Sequence, residues 1–324
     1  MASKDRDVLP DTVKPIHYTL ELFDLELGGA FTYQGTVRIQ VNINKAVEEI
    51  TLNTHQLNVS SAGIIDGKSA SKISYDEKSQ RTTFAFSEAV QPSPNAVIRL
   101  EFSGTMNNSM AGFYRSKYKP TVTPARSVPM DGESHCMFST QFESSDARRA
   151  FPCFDEPNLK ATFDVSIEIP EDNIALSNMP EKDVKPSKNG RNVVTFERTP
   201  VMSTYLLAWA FGDFEYVEDF TRRKYNGKNL PVRVYTTRGL KEQGRFALEN
   251  CHQVVDYFSD IFKIDYPLPK IDLLAVHEFS HGAMENWGLI TYRTTAVLFD
   301  EEQSDAKYKN RVAYVVAHGT ALSV

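Results

Sequence analysis

Hydrophobic and polar residues alternate along much of the first two thirds of the chain. Val37, Ile39, Val41 and Ile43 interleave with Arg38, Gln40, Asn42 and Asn44. Phe163, Val165, Ile167 and Ile169 interleave with Thr162, Asp164, Ser166 and Glu168, and VIRLEF (97–102) and NVVTFER (192–198) repeat the pattern. A period of two with one wet face is the mark of antiparallel sheets covering one core. GG at 28–29, PSPN at 92–95 and SKNG at 187–190 are read as the turns between strands. The expectation is a mainly β fold whose first domain, 1–219, is an antiparallel β-sandwich.

From 220 to 324 the period changes. Between Gly244 and Lys263, Ala247, Cys251, Val254, Val255, Phe258, Ile261 and Phe262 recur at three and four, which predicts an amphipathic helix ended by Pro267 and Pro269. PVRVYTT (231–237), IDLLAV (271–276) and GLITYRTTAVLF (288–299) read as strands. Ser304 is placed as the cap of a helix from Asp305 that carries Tyr308, Val312, Val315 and Val316 on one stripe and reaches His318. This second domain is mixed α and β.

With 324 residues, 41% of them hydrophobic and 24% charged, the chain has ample material for a core and a length suited to two domains. Its 36 basic against 42 acidic residues leave a net charge of -6, which argues against nucleic acid as a partner, since a phosphate-tracking face needs a positive excess. The opening MASKDRDVLPDTVKP lacks the apolar stretch of a secretory signal. No run approaches the ~18 apolar residues of a membrane span. Cys136, Cys153 and Cys251 are too few for a disulfide framework and their odd number favours free thiols. Together these features predict a cytoplasmic protein with no membrane partner.

His277-Glu278-Phe279-Ser280-His281 matches HExxH, and Asp300 and Glu301 follow at a distance from which a third ligand could come. That motif holds zinc because imidazoles at i and i+4 share a helix face, with the Glu beside the metal-bound water. Here the run before His277 is six residues long, begins after two prolines, and Gly282 follows His281 directly. A buried strand ending in a loop fits better, and on a strand residues four apart stand ~13 Å from each other. Two histidines at a strand edge are the alternative to a metal pair.

GAMENWG (282–288) adds a longer signal. LPDTVKPIHYTLEL (9–22), TQFESSDARRAFPCFDEP (140–157), MSTYLLAWAFGDFEYVE (202–218) and YVVAH (314–318) accompany it in order along the whole chain. On these segments the sequence resembles the gluzincin zinc aminopeptidases, the family of aminopeptidase N and puromycin-sensitive aminopeptidase, of a cytosolic, fungal-like type, over their N-terminal portion. The resemblance implies a saddle-like β-sandwich followed by the opening of a thermolysin-like α+β catalytic domain. It also implies removal of residues from peptide N-termini. Glu285 of GAMEN and Glu143 of TQFE would anchor the substrate's amino group, and Gln141 would touch its first residue. The backbone of Gly282, Ala283, Met284, Glu285 and Asn286 would pair with the peptide as an added strand. MSTYLLAW would begin the strand closing the first domain, and Cys153 would be a buried small hydrophobe.

The same resemblance exposes a departure. The family's zinc helix continues from VVAH into a Glu that activates water and a second His. Here Gly319 stands at the base position and Leu322 at the second ligand position, with the third ligand beyond Val324. A Glu codon split after its first G and read on into GTAC gives Gly-Thr, the pair that follows His318, so a reading frame leaving the helix at this point is expected. His318 is the one family ligand left, and a site that takes three protein ligands and a water cannot form from it. The chain as written is therefore expected to bind no zinc tightly and to be inactive, with a non-catalytic peptide-binding module as the alternative. The stripe of Tyr308, Val312, Val315 and Val316 is expected to lie exposed, for want of the helices that cover it in the family.

Overall fold

The computed structural model describes residues 8–125 and 128–322. The opening residues 1–7 and the final pair 323–324, weighed above, lie outside the described residues. The alternating segments are strands with the expected faces: in Thr32–Ile43, Val37, Ile39, Val41 and Ile43 are buried, while Arg38, Gln40 and Asn42 are half-buried or exposed.

Three sheets wrap one aromatic-rich core before Asp213. The largest runs Glu181–Pro186, Arg191–Phe196, Thr162–Pro170, Val13–Phe23, Thr32–Ile43, Ser93–Thr105, Asn58–Ile64 in spatial order. A second is built on Ile174–Ser177, Trp209–Gly212, Ser134–Gln141 and Gly112–Tyr118, and a third on Val47–Asn53, Arg81–Val90 and Lys72–Asp76. The expectation of antiparallel pairing fails at one joint, because Val13–Phe23 and Thr162–Pro170 run parallel. Alternation reports which face is wet and carries no information on strand direction. PSPN is not a turn either. Ser93–Thr105 begins inside it, leaving Gln91 and Pro92 as the link from Arg81–Val90.

After Asp213 comes one mixed sheet, in the order Phe214–Tyr225, Lys228–Thr237, Ile271–Val276, Leu289–Arg293, Ala283–Met284. Position 219/220 falls inside the first of these strands. Lys228–Thr237 and Ile271–Val276 are parallel, so the chain must cross over between them, and the helix Arg245–Phe262 is that crossover. This helix buries Ala247, Leu248, Cys251, His252, Val255 and Ser259, whereas Ile261 and Phe262, expected on the inner stripe, are about half exposed.

The last helix is Ala306–Ala321, capped by Asp305, whose carboxylate accepts from the Tyr308 amide, rather than by Ser304. Its stripe is covered, contrary to expectation. Val312 and Val316 are fully buried and Tyr308 and Val315 pack beside them, because the helix lies on Arg245–Phe262 and on the sheet within this chain. The strand expected over 288–299 stops at Arg293, and Thr294–Val297 is a single helical turn. MSTYLLAW likewise opens with a short 3-10 turn, Thr204–Leu206, before the strand Trp209–Gly212.

Candidate amino-terminus site

Glu143 stands where an inner strand ends. Ser134–Gln141 pairs with Gly112–Tyr118 up to Gln141, and Phe142 then turns inward, fully buried, edge-on to Trp209 at 5.3 Å. The Asp146 amide donates to Phe142 O and closes the turn, leaving the Glu143 side chain exposed; the Glu143–Ser144 peptide is cis. The rest of this segment is pinned from below. Tyr33 Oη donates to Ala150 O, and the buried Asp155 carboxylate receives Arg148 Nε at 2.9 Å and Thr204 Oγ1 at 2.9 Å. That last bond ties the Glu143 segment to the 3-10 turn around Tyr205.

Glu285 arrives from the other side. Ala283–Met284 is the outermost strand of the mixed sheet, antiparallel to Leu289–Arg293 with Ala283 opposite Tyr292. Gly282 O accepts from the Arg293 amide, which places Ala283 at the non-bonded register position, its N–H and C=O turned to the open edge. A side chain added at Gly282 would meet nothing within 4 Å, so the approach there is open. Asn286 is buried and inward: its Nδ2 donates to Thr291 Oγ1 at 3.3 Å, and its carbonyl accepts from the Leu289 amide.

Glu143 and Glu285 line one cavity of about 360 Å³, with Met284 and Trp287 on one wall and Tyr205 on the other. Gln141 does not join them there. It is buried beneath, its Nε2 3.5 Å from Glu143 O and its Oε1 without a hydrogen-bond partner. Sequence reasoning missed Tyr205, Trp287 and Lys160 on the lining, although the first two sit inside the quoted MSTYLL and GAMENWG segments. A larger hollow of about 480 Å³ lies elsewhere, and the aromatic faces on it, Phe246 and Phe299, are already covered by the Lys309 ammonium at 4.8 and 5.1 Å.

His318 Nε2 lies 3.7 Å from Glu285 Oε1, so the last helix does bring one imidazole to this site. Among the described residues no third His, Cys, Asp or Glu stands with this pair. Leu322 contributes only an apolar edge of the cavity, and Gly319 faces the sheet, where a Cβ would lie 2.5 Å from Tyr292 Oη. Burial pushes that hydroxyl well above the usual phenol range, so it stays protonated. Among the described residues no three His, Cys, Asp or Glu side chains are grouped to hold a metal ion. The residues present do not fit the zinc site that the resemblance implies.

The HExxH run is a loop, as the prolines and glycine suggest. His277 stacks on Tyr118 at 4.8 Å and bonds Thr237 Oγ1 at 2.8 Å, and burial pushes its imidazole down to about 4, hence neutral. Glu278 is spent on the Lys117 amide, and His281 sits exposed beside Ser280. These are the contacts of a seam between sheets, not of a ligand pair. Cys153 is a free, fully buried thiol.

The β-sandwich is thus docked to a mixed sheet, with two carboxylates lining one cavity beside an open strand edge. Residues 14–206 match the peptidase M1 N-terminal domain and residues 246–322 the peptidase family M1 domain, and the chain belongs to the peptidase M1 family. It is 44% identical over 323 residues to aminopeptidase 2, mitochondrial, of Saccharomyces cerevisiae, covering 98% of this chain and 32% of that protein. Against aminopeptidase M1 of Arabidopsis thaliana it is 41% identical, covering 97% and 34%. Against the puromycin-sensitive aminopeptidase of Caenorhabditis elegans it is 40% identical, covering 97% and 32%. The chain thus spans about a third of the length of the curated relatives it matches. No helix among the described residues is long and apolar enough to cross a membrane.

Proposed function

We propose that this chain is the substrate-recognition portion of a zinc-dependent aminopeptidase, that it grips the free amino terminus of peptides, and that it does not hydrolyse them by itself. The observation that carries this reading is the meeting of Glu143 and Glu285, from separate sheets, on one cavity. A peptide amino group titrates at ~7.7–8.0 and is largely cationic at neutral pH, so fixed carboxylates select it over a blocked or internal residue. The open edge of Ala283–Met284 would take the following backbone as an added strand, which gives grip with little demand on sequence. Zinc belongs, in this proposal, to the longer relatives. Gly319 offers no base and His318 alone offers no metal site, so no water would be activated here.

The test is calorimetric titration of the chain with leucinamide and with N-acetyl-leucinamide, alongside metal analysis and an aminoacyl-amide cleavage assay. Preference for the free amine, lost in Glu285→Ala, with no turnover and no stoichiometric zinc, is the expected result. Turnover dependent on bound zinc would overturn the inactive reading, and equal binding of both amides would overturn the recognition site. A non-catalytic peptide-binding module of independent use is the second reading, favoured by the same cavity; it predicts the same preference in cells that lack any longer form of the protein. We also propose a cytoplasmic location. The name of the Saccharomyces relative includes the word mitochondrial, so cell fractionation is the deciding measurement.

A further inference from the structure

Glu143 and Glu285 hang from different sheets, so their separation is set by whatever joins those sheets. The joint is a buried apolar cluster in which Leu176, Ala208 and Ala210 pack with Leu274, Met284 and Leu289, and it also holds one polar group closed to solvent. Lys270 and Asp272, each with a side chain 3% exposed, flank the start of Ile271–Val276. Lys270 Nζ lies 2.7 Å from Asp272 Oδ2 and donates to Ser177 O at 2.6 Å and to Gly288 O at 2.7 Å. An ammonium has three protons, and all three are used. One acceptor belongs to the first sheet system, one to the second, and the third closes the loop that carries Glu285.

Asn178, the next residue after Ser177, holds the same loop. Its Nδ2 donates to Trp287 O at 2.8 Å and Leu206 O at 2.7 Å, and its Oδ1 accepts from the Ala208 amide. Gly288 completes the closure. At φ +76° its α carbon lies so near that a Cβ would stand 2.1 Å from Asn178 O. The Trp287 carbonyl is thus held by Asn178, and the Gly288 carbonyl by the Asp272 amide and by Lys270, whose ammonium reaches on to Ser177 O, close to the turn that bears Tyr205.

A buried ion pair contributes little net stability compared with an apolar pair of the same volume, because desolvation offsets the attraction. What it supplies is direction. We propose that Lys270 is a positioning residue, its ammonium fixing the loop that carries Glu285 against the sheets that carry Glu143 and so setting the span that the two carboxylates offer to an amino terminus. This rests on the recognition site proposed above.

The test uses the whole chain as K270M/D272N, which removes both charges together and leaves no buried ion unpaired. K270Q/D272N, which keeps an amide donor at the position, serves if the first does not fold. Two measurements run in parallel, amide hydrogen exchange and titration with leucinamide against N-acetyl-leucinamide. In the folded variant, exchange at the backbone amides of positions 272 and 289, which bond Gly288 O and Asn286 O, should accelerate about tenfold after correction for the intrinsic rate of the new side chain at 272, while the remaining sheet amides hold. The preference for the free amine should fall by about tenfold. Unchanged exchange at those two amides overturns the positioning role whatever the ligand does. Accelerated exchange with the preference intact also overturns it, since the loop then moves without consequence. Absence of any preference in the unaltered chain, with the exchange result as expected, instead overturns the recognition site and with it the span this residue would set.

Discussion

Before Asp213, the large apolar side chains that reach the surface do so one at a time: Val8, Ile16, Ile65, Tyr75, Val122, Met130, Val184 and Val201. After it, among the described residues, half as much chain exposes as many; Tyr257, Ile261 and Phe262 stand on the last turns of one helix and Ile264 just past its end, where Phe258 stacks on Phe262 at 5.4 Å. Scattered apolar residues are ordinary on a protein surface, whereas a contiguous patch marks a face that associates. The first region has finished burying itself. The second is well packed where the last helix meets the sheet and open where the longer helix overruns it.

The sharpest way to break this contrast is to hollow out the finished core. Trp209 is fully buried among Phe113, Phe142 and Phe151, and its Nε1 has no partner to lose, so Trp209→Ala should cost about 3–5 kcal/mol by urea unfolding. A cost under ~1 kcal/mol would mean that the core is looser than its contacts suggest.

Acid should attack the seam between the regions next. His277 is held neutral, with its pKa lowered to about 4. The unfolded chain, titrating near ~6.5, takes the proton first. Stability from this group is therefore intact above pH ~6.5 and is lost as pH falls toward 4, to a limit of about 3 kcal/mol. Chemical denaturation across that range, with His277→Asn as the flattened control, measures it. Parallel curves would remove His277 from the account.

A smaller effect is expected at Gly319. Alanine there gains up to ~1 kcal/mol of helix propensity, yet its Cβ would press on Tyr292 Oη at 2.5 Å, and overpacking costs typically 1–3 kcal/mol. A net loss of about 1 kcal/mol should appear in thermal melts, and a net gain would show that Tyr292 yields. Last, Ile261→Ser with Phe262→Ser should change stability by no more than ~0.5 kcal/mol. It should nevertheless reduce self-association in sedimentation runs, and unchanged association would remove the meaning given to the patch.

The sequence made the strands and their wet faces legible because a half-buried strand leaves a two-residue rhythm. It did not reveal that Val13–Phe23 runs parallel to Thr162–Pro170, since rhythm is blind to direction. Nor did it reveal that the Val312 and Val316 stripe finds cover, because a stripe shows that a face is to be buried without naming what buries it. The HExxH run was legible as a loop from its short approach and its glycine. The site was legible only in part. No local pattern links Glu143 to Glu285, and the loop that carries Glu285 is held by Lys270 and Asn178, which resemble any other polar residues in the sequence.

The three cysteines have a consequence for experiment. All are free and buried, and burial raises the thiols to about 11 at Cys136, to about 12 at Cys251 and well above the usual thiol range at Cys153. Such thiols are neither exposed nor ionised, the two conditions an alkylating reagent needs. Each becomes reactive only when its own surroundings open. Cys136 and Cys153 lie in the first region and Cys251 faces the last helix, its Sγ 3.5 Å from Thr320 Oγ1, so the chain carries its own clocks, a pair for the first core and one for the packing of the two helices.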